Sequence, residues 1–458
     1  MSAGDFDESL AATSLAPTYQ GASSTNPDPL NASAVALGSA TVGSAAGLPR
    51  RADRTRRVAL AKVIPYLGPA FVVSVAYMDP GNFATNITAG SRFNYQLIWV
   101  ILWSNVFAIV LQSLSAKLGI VTGKSLPEHC REVFSARVNW FLWVVGVVAA
   151  MATDLAEFLG GALGFYLLFG IPVTWGALLT GTISYLILAL DKYGQKWVEL
   201  AISALVSVIS ISYVVELFLA RPEWDRIAYH TLVPLLGKDS VLVAAGMLGA
   251  TVMPHVIFLH SHLVQSRRSR DAEAIRHHLF AAKVDVSVAM NVAFVINAAM
   301  VVVSAATFYA RGLEIDSIEL AHKTLEPLLG PLSAGAFAVA LLASGLSSSA
   351  VGTLAGDVIM GGFVKGLTVP TWAKRMATML PALAIISLGM NPVRVLVLSQ
   401  VTLSFALPAA IIPLLLITSR RDVMGPFTSS RPVRITGWVI VGLVVLLNAA
   451  LVVLTLVG

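Results

Sequence analysis

Long apolar runs with few charges recur along this chain from Tyr66 through Leu456. Nothing else in the sequence limits its folding options as much. A run of about 20 apolar residues matches the hydrocarbon thickness of a bilayer when coiled as a helix. Only 12% of the 458 residues are charged, against about 25% in an ordinary soluble domain. Apolar residues make up 56% and the mean hydropathy is +0.78. So few charges cannot cover the surface of a water-soluble globule, which excludes soluble enzymes, nucleic-acid binders and secreted disulfide scaffolds. A membrane β-barrel would alternate apolar and polar residues instead of running continuously apolar. The chain is therefore expected to be an all-α polytopic membrane protein.

Residues 1–57 differ in kind: rich in Ala, Ser, Thr, Pro, Gly and Asn, and without an apolar run of spanning length. They are expected to be a disordered cytoplasmic tail ending in Arg50, Arg51, Arg54, Arg56 and Arg57. No secretory signal pattern is visible near Met1. Beyond the tail, 58–458 is expected to be one transporter domain. Eleven spans are predicted, at roughly 64–90, 96–116, 139–169, 173–190, 198–219, 241–265, 285–309, 331–356, 374–390, 394–418 and 435–457. If the N-terminus is cytoplasmic and the spans alternate, 24 of the 31 Lys and Arg fall in cytoplasmic segments. That bias obeys the positive-inside rule and puts the C-terminus outside the cytoplasmic membrane. The single cysteine, Cys130, allows no internal disulfide.

Two spans carry a proline break in matching register. The first contains Ala76-Tyr77-Met78-Asp79-Pro80-Gly81-Asn82, and the sixth contains Ala250-Thr251-Val252-Met253-Pro254-His255. Superposing Pro80 on Pro254 pairs Ala76 with Ala250 and Asp79 with Met253. Five spans separate the two breaks. An odd number inverts the second block relative to the first, giving repeats over 58–220 and 241–418 with 435–457 as an eleventh helix. Inverted repeats with broken helices meeting at the midplane describe a secondary transporter. Proline also denies a hydrogen bond to the carbonyl four residues earlier, which here belongs to Ala76 and to Ala250. Such backbone is tolerated at membrane depth where it is buried in protein or lines a cavity.

Asp79 adds a full charge, and a charge at the bilayer centre costs several kcal/mol, so it marks function. Asn82 adds an amide oxygen and Met253 a thioether. A site of oxygens alone would suit Na⁺, Ca²⁺ or Mg²⁺, whereas a thioether favours softer transition metals. Mn²⁺ or Fe²⁺ is the ligand expected on those grounds. Gln400, inside the tenth span, offers a further amide oxygen or an interhelical hydrogen bond. Asp154 and Glu157 share one face of the third span. They suit either a proton route from the metal site, with Lys374 and Arg375 as partners, or a structural salt-bridge network. His255 follows Pro254 directly. The small residues Ser344, Gly345, Ser347, Ser348, Ser349, Gly352 and Gly356 of the eighth span suit close helix packing.

The runs Asp79-Pro80-Gly81-Asn82 and Met253-Pro254-His255 resemble the paired signatures of the Nramp (natural resistance-associated macrophage protein) family. So do Ala152-Thr153-Asp154-Leu155-Ala156-Glu157-Phe158 and Ala343-Ser344-Gly345-Leu346-Ser347-Ser348-Ser349. The resemblance covers about 60–458 and looks closest to the bacterial proton-coupled manganese transporters. It implies a LeuT-like fold of ten spans in a 5+5 inverted repeat plus one helix. It also implies import of Mn²⁺ or Fe²⁺, with Cd²⁺ and Co²⁺ as passengers and H⁺ cotransport by alternating access. Asp79, Asn82 and Met253 would be side-chain metal ligands, joined by the carbonyls of Ala76 and Ala250 and by Gln400 in some conformations. The resemblance casts His255 as a proton-linked or conformational residue and favours the proton route through Asp154 and Glu157. One departure is Val147, at a place where some relatives carry another acid. No resident cofactor, nucleic acid or obligate protein partner is implied beyond the bilayer and the transported ions. A sodium-coupled organic-solute transporter of the same fold is the alternative; no nucleophile–base constellation points to an enzyme.

Overall fold

The computed structural model describes residues 68–315, 317–366 and 370–457, and among them every regular element is helical. The expected tail, 1–57, lies outside the described residues. Eleven helical crossings follow in order. Span 1 is split into Pro69–Ala76 and Pro80–Phe93, and span 6 into Val241–Thr251 and Pro254–Leu263. The others are span 2 (Ile98–Thr122), span 3 (Ala136–Phe169), span 4 (Val173–Ala189), span 5 (Gln195–Ala220) and span 7 (Ala272–Thr307). Span 8 (Pro331–Phe363), span 9 (Thr371–Ser387), span 10 (Pro392–Thr418) and span 11 (Arg431–Val457) complete the set. Eight crossings, counting span 6 as one, are long and apolar enough for a bilayer. The other three are the split span 1 and spans 4 and 9, of 17 residues each.

All eleven predicted spans are present, with most ends displaced by a few residues and the start of span 7 by 13. Span 1 runs to Phe93, beyond the expected 90, and span 7 begins at Ala272 instead of 285. Apolarity marks where a helix lies in hydrocarbon, but a helix continues past that boundary as long as its backbone bonds propagate. Four shorter helices join the spans: Leu126–Val133, Trp224–Leu232, Ile318–Leu329 and Arg421–Met424. The first has a capping box in which Ser125 and Glu128 satisfy each other's ends.

The centre of the bundle is span 3 against span 8, and small residues bring them together. A Cβ on Gly345 would collide with the backbone of Gly161, and one on Gly164 would lie 2.7 Å from Leu342 Cα. The small-residue pattern of span 8 therefore serves close approach, in keeping with interfaces that must rely on van der Waals packing. Span 11 docks on span 10 through Asn448, which donates to the Ser404 carbonyl (2.9 Å) and accepts from its hydroxyl (2.8 Å). Both are buried, and an amide that satisfies donor and acceptor together avoids the cost of polar burial.

Candidate metal site at the two helix breaks

Span 1 stops at Ala76, and Tyr77, Met78 and Asp79 are non-helical before Pro80 restarts it. Pro80 occupies the first helical position, where a missing N–H costs nothing. Asp79 is the N-cap: its Oδ1 accepts the Asn82 backbone N–H at 2.8 Å. The carboxyl thus sits on the positive end of the second half-helix, which offsets part of its burial cost. The same Oδ1 accepts from the Asn82 side chain at 2.7 Å. Two released carbonyls are tied to neighbouring spans. Tyr77 O accepts from Asn297 Nδ2 of span 7 at 2.6 Å, and Met78 O from the Ser344 hydroxyl of span 8 at 2.6 Å.

Span 6 breaks over a shorter stretch, Val252 and Met253. In a continuous helix the Ala250 carbonyl would accept from residue 254, but a proline there has no N–H. The Asn82 side chain replaces that donor: its Nδ2 bonds Ala250 O at 3.0 Å as well as Asp79 Oδ1. One amide group therefore joins the two breaks, 168 residues apart in sequence. Met253 caps the second half-helix with an apolar side chain and is wholly buried.

Three oxygens around this junction are buried and accept no hydrogen bond: Asp79 Oδ2, Asn82 Oδ1 and Gln400 Oε1. Gln400 reaches it because Gly81 has no side chain; a Cβ there would collide with the Gln400 amide. Buried acceptors without donors are unfavourable, and a cation is a natural partner for them. No group of three or more His, Cys, Asp and Glu suited to a metal occurs among the described residues. The candidate donors are instead one carboxylate, two amides, backbone carbonyls and a thioether. Such a set carries one negative charge and includes one soft atom.

The expected proton residues cluster beside this junction. His255 Nδ1 shares a 3.1 Å hydrogen bond with the hydroxyl of Thr153, the neighbour of Asp154 in span 3. Its Nε2 is buried without a partner. Asp154 and Glu157 are both buried. The Glu157 carboxylate lies against span 8, where a Cβ on Gly352 would come 2.5 Å from its Oε2. The side chains of Lys374 and Arg375 lie outside the described residues, and only their helical backbone in span 9 is placed.

Two further polar chains converge here; of their members the sequence points to His260, five residues after His255, but not to its partners. His260 Nδ1 and Gln112 Oε1 lie 2.9 Å apart, and Gln112 Nε2 donates to the Tyr77 hydroxyl at 2.7 Å. Asn86 donates to Asn297 Oδ1 at 2.7 Å, so Asn297 links both asparagines to the first break. Asp285 of span 7 accepts the Ala70 N–H at 3.0 Å and the Gly68 N–H at 3.3 Å, fastening the start of span 1. The signal was available: an ionisable or amide side chain inside an apolar run is functional or paired by default. That criterion also selects Glu216 of span 5.

A cavity of about 580 Å³ opens between the start of span 1 (Val72), spans 4, 5 and 8 and the end of span 6 (Leu259 and His262). It lies on the face that carries the basic loops. On the opposite side of the breaks, the Phe83 ring packs edge-on against Tyr213 of span 5 (centroids 5.5 Å) and beside Phe337 of span 8 (6.2 Å). The two half-helix breaks thus lie between an aromatic cluster and a cavity whose lining includes Lys192, Glu199, His262 and Asp357.

A helical bundle with two broken spans meeting at its centre is the architecture of a secondary transporter. The family model described as natural resistance-associated macrophage protein-like matches residues 70–454. The chain belongs to that family, and is a transporter rather than an enzyme. It is 58% identical over 411 residues to the divalent metal cation transporter MntH of Caldanaerobacter subterraneus, covering 89% of this chain and 97% of that protein. Among solved structures, the Eremococcus coleocola manganese transporter, in a histidine-to-alanine mutant form, superposes with a TM-score of 0.77 at 33% identity. That match covers 85% of this chain and 86% of the other. Mhp1, a nucleobase-cation-symport-1 family transporter, shares the fold at a TM-score of 0.54 and 15% identity, over 85% of this chain and 92% of its own.

Proposed function

We propose that this protein imports divalent transition-metal ions, Mn²⁺ and Fe²⁺ first and Cd²⁺ and Co²⁺ as passengers, together with H⁺, by alternating access. One observation carries the reading: Asn82 ties the Asp79 carboxylate to the released Ala250 carbonyl, so both breaks face one point. Its relatives support it, since they are named as divalent metal cation and manganese transporters. Asp79, Asn82 and Met253 would hold the ion by side chains. The carbonyls of Ala76 and Ala250 and the amide of Gln400 would join as the half-helices shift.

The carboxylate supplies charge and the amides replace water. The thioether disfavours Ca²⁺ and Mg²⁺, which prefer oxygen. Asn82 Oδ1 accepts no hydrogen bond and is free for the ion, while its Nδ2 ties Asp79 to Ala250 O, which would couple occupancy to the position of span 6. Protons would leave toward span 3, through His255 and Thr153 to Asp154 and Glu157, with Lys374 and Arg375 as partners. With the basic loops cytoplasmic, the N-terminus lies inside and the C-terminus outside, so the cavity at Val72, Glu199 and His262 would be the exit and the aromatic cluster the entrance. Metal-stimulated proton flux into proteoliposomes, compared for Mn²⁺, Fe²⁺, Ca²⁺ and Mg²⁺, tests the whole. Saturable flux with the first two and none with the last two is expected; equal flux with Ca²⁺ or Mg²⁺ would overturn it.

A further inference from the structure

Glu216 is an intramembrane acid that the transport scheme does not use. It is 1% exposed, and its Oε1 is buried with no hydrogen-bond partner. One helical turn earlier on the same face of span 5 stands Tyr213, 3% exposed, whose hydroxyl is also without a partner. The Tyr213 ring is the one that packs edge-on against Phe83, and Phe83 follows Asn82 in sequence. Tyr213 is therefore part of the ring cluster next to the metal junction, and Glu216 stands one turn beyond it along span 5.

Their depth follows from the fold. Spans 1 and 5 are separated by an even number of crossings and point the same way. Just beyond their ends the Glu223 backbone N–H donates to the Tyr95 hydroxyl at 3.5 Å. Glu216 lies four residues before the end of span 5, between the Phe83 seal and that face. The cavity with Val72, Glu199 and His262 is on the other side of the breaks. Burying a carboxyl oxygen and a phenol without partners is unfavourable in the sealed packing. That cost is recovered when the ring cluster parts and water or a cation reaches them.

Resting on the transport reading above, we infer that Glu216 and Tyr213 form an entry site for the divalent cation, occupied transiently as the Phe83–Tyr213–Phe337 cluster opens. One carboxylate and one phenol oxygen make a weak, exchangeable site for a hydrated ion. Its use is to raise the local concentration of the ion beside Asp79.

The test is uptake by intact cells, combined with Mn²⁺ binding to purified protein followed by electron paramagnetic resonance. Glu216→Gln keeps the shape and removes the charge. It should raise the apparent KM for Mn²⁺ uptake about 5- to 10-fold, while maximal uptake and equilibrium affinity at the Asp79 site stay unchanged. Tyr213→Phe, which keeps the ring, should raise KM about 2-fold. Weak Mn²⁺ binding should persist in Asp79→Ala and disappear in the Asp79→Ala/Glu216→Gln double variant. An unchanged KM in Glu216→Gln would overturn the inference. So would a fall in maximal uptake alone, as a packing role predicts, or a moved pH profile alone, as a proton relay predicts. Asp79→Ala that still transports would sink the transport reading itself, whereas an inert Asp79→Ala beside an unaltered Glu216→Gln sinks only the entry site.

Discussion

The two broken helices use the same proline device and fill it differently. The first break is three residues long, carries the charge, and is fixed to the scaffold by Asn297 and Ser344. The second is two residues long, carries a thioether in place of the carboxylate, and its Ala250 carbonyl is held by Asn82 of the first break. A transporter must bind an ion firmly and still move around it. Here the first break holds the charge against spans 7 and 8, while a single amide couples the second break to it. On the proposed mechanism, symmetry in sequence would become a division of labour: one break would supply charge, the other selectivity and mobility.

Removing the charge is the harshest test of that division. Asp79→Ala should reduce Mn²⁺ uptake in proteoliposomes at least 100-fold, to background, while the protein still purifies as a folded monodisperse species. Robust transport by this variant would mean that the first break is not the charge-bearing half. Gly345→Ala comes next, because its Cβ would meet the Gly161 backbone where spans 3 and 8 touch. Overpacking of this kind costs about 1–3 kcal/mol, and a fall in thermal unfolding temperature should report it. A melting temperature equal to that of the parent would show that the two spans have slack between them.

The second break should respond in selectivity rather than in rate. Met253→Ala is expected to leave Mn²⁺ uptake within a few-fold of normal while Ca²⁺ and Mg²⁺ compete about 10-fold better. Unchanged competition would remove the thioether from the selectivity argument. The smallest effect is expected at the anchor. Ser344→Ala deletes one hydrogen bond to Met78 O, worth about 0.5–1.5 kcal/mol. A modest loss of stability with ion selectivity intact would support a purely mechanical role; altered selectivity would show that the first break also tunes the ion.

Much of this was legible beforehand. The eleven crossings were, because bilayer thickness converts directly into a length of apolar sequence. So were the two breaks, since proline declares its missing N–H wherever it stands. Asp79, Asn82 and Met253 were singled out from their neighbourhood to Pro80 and Pro254, and the structure places Asp79 and Met253 at the two breaks, with Asn82 bonded to both. The amide and hydroxyl chains through Gln112, His260, Asn297 and Ser344 were not. Each such side chain is commonplace in a membrane helix, and only its partner on another span gives it a role.

The sequence by itself determined the solvent in which this protein folds, the number of its helices and the two places where they break. Those are local consequences of apolarity and of proline, and no distant residue alters them. Only the tertiary structure decided that Asn82 spans both breaks, that Gly81 makes room for Gln400, and that Tyr213 packs edge-on against the Phe83 ring. Those relations join residues from different spans, and the rotation of each helix about its axis is set by packing against its neighbours.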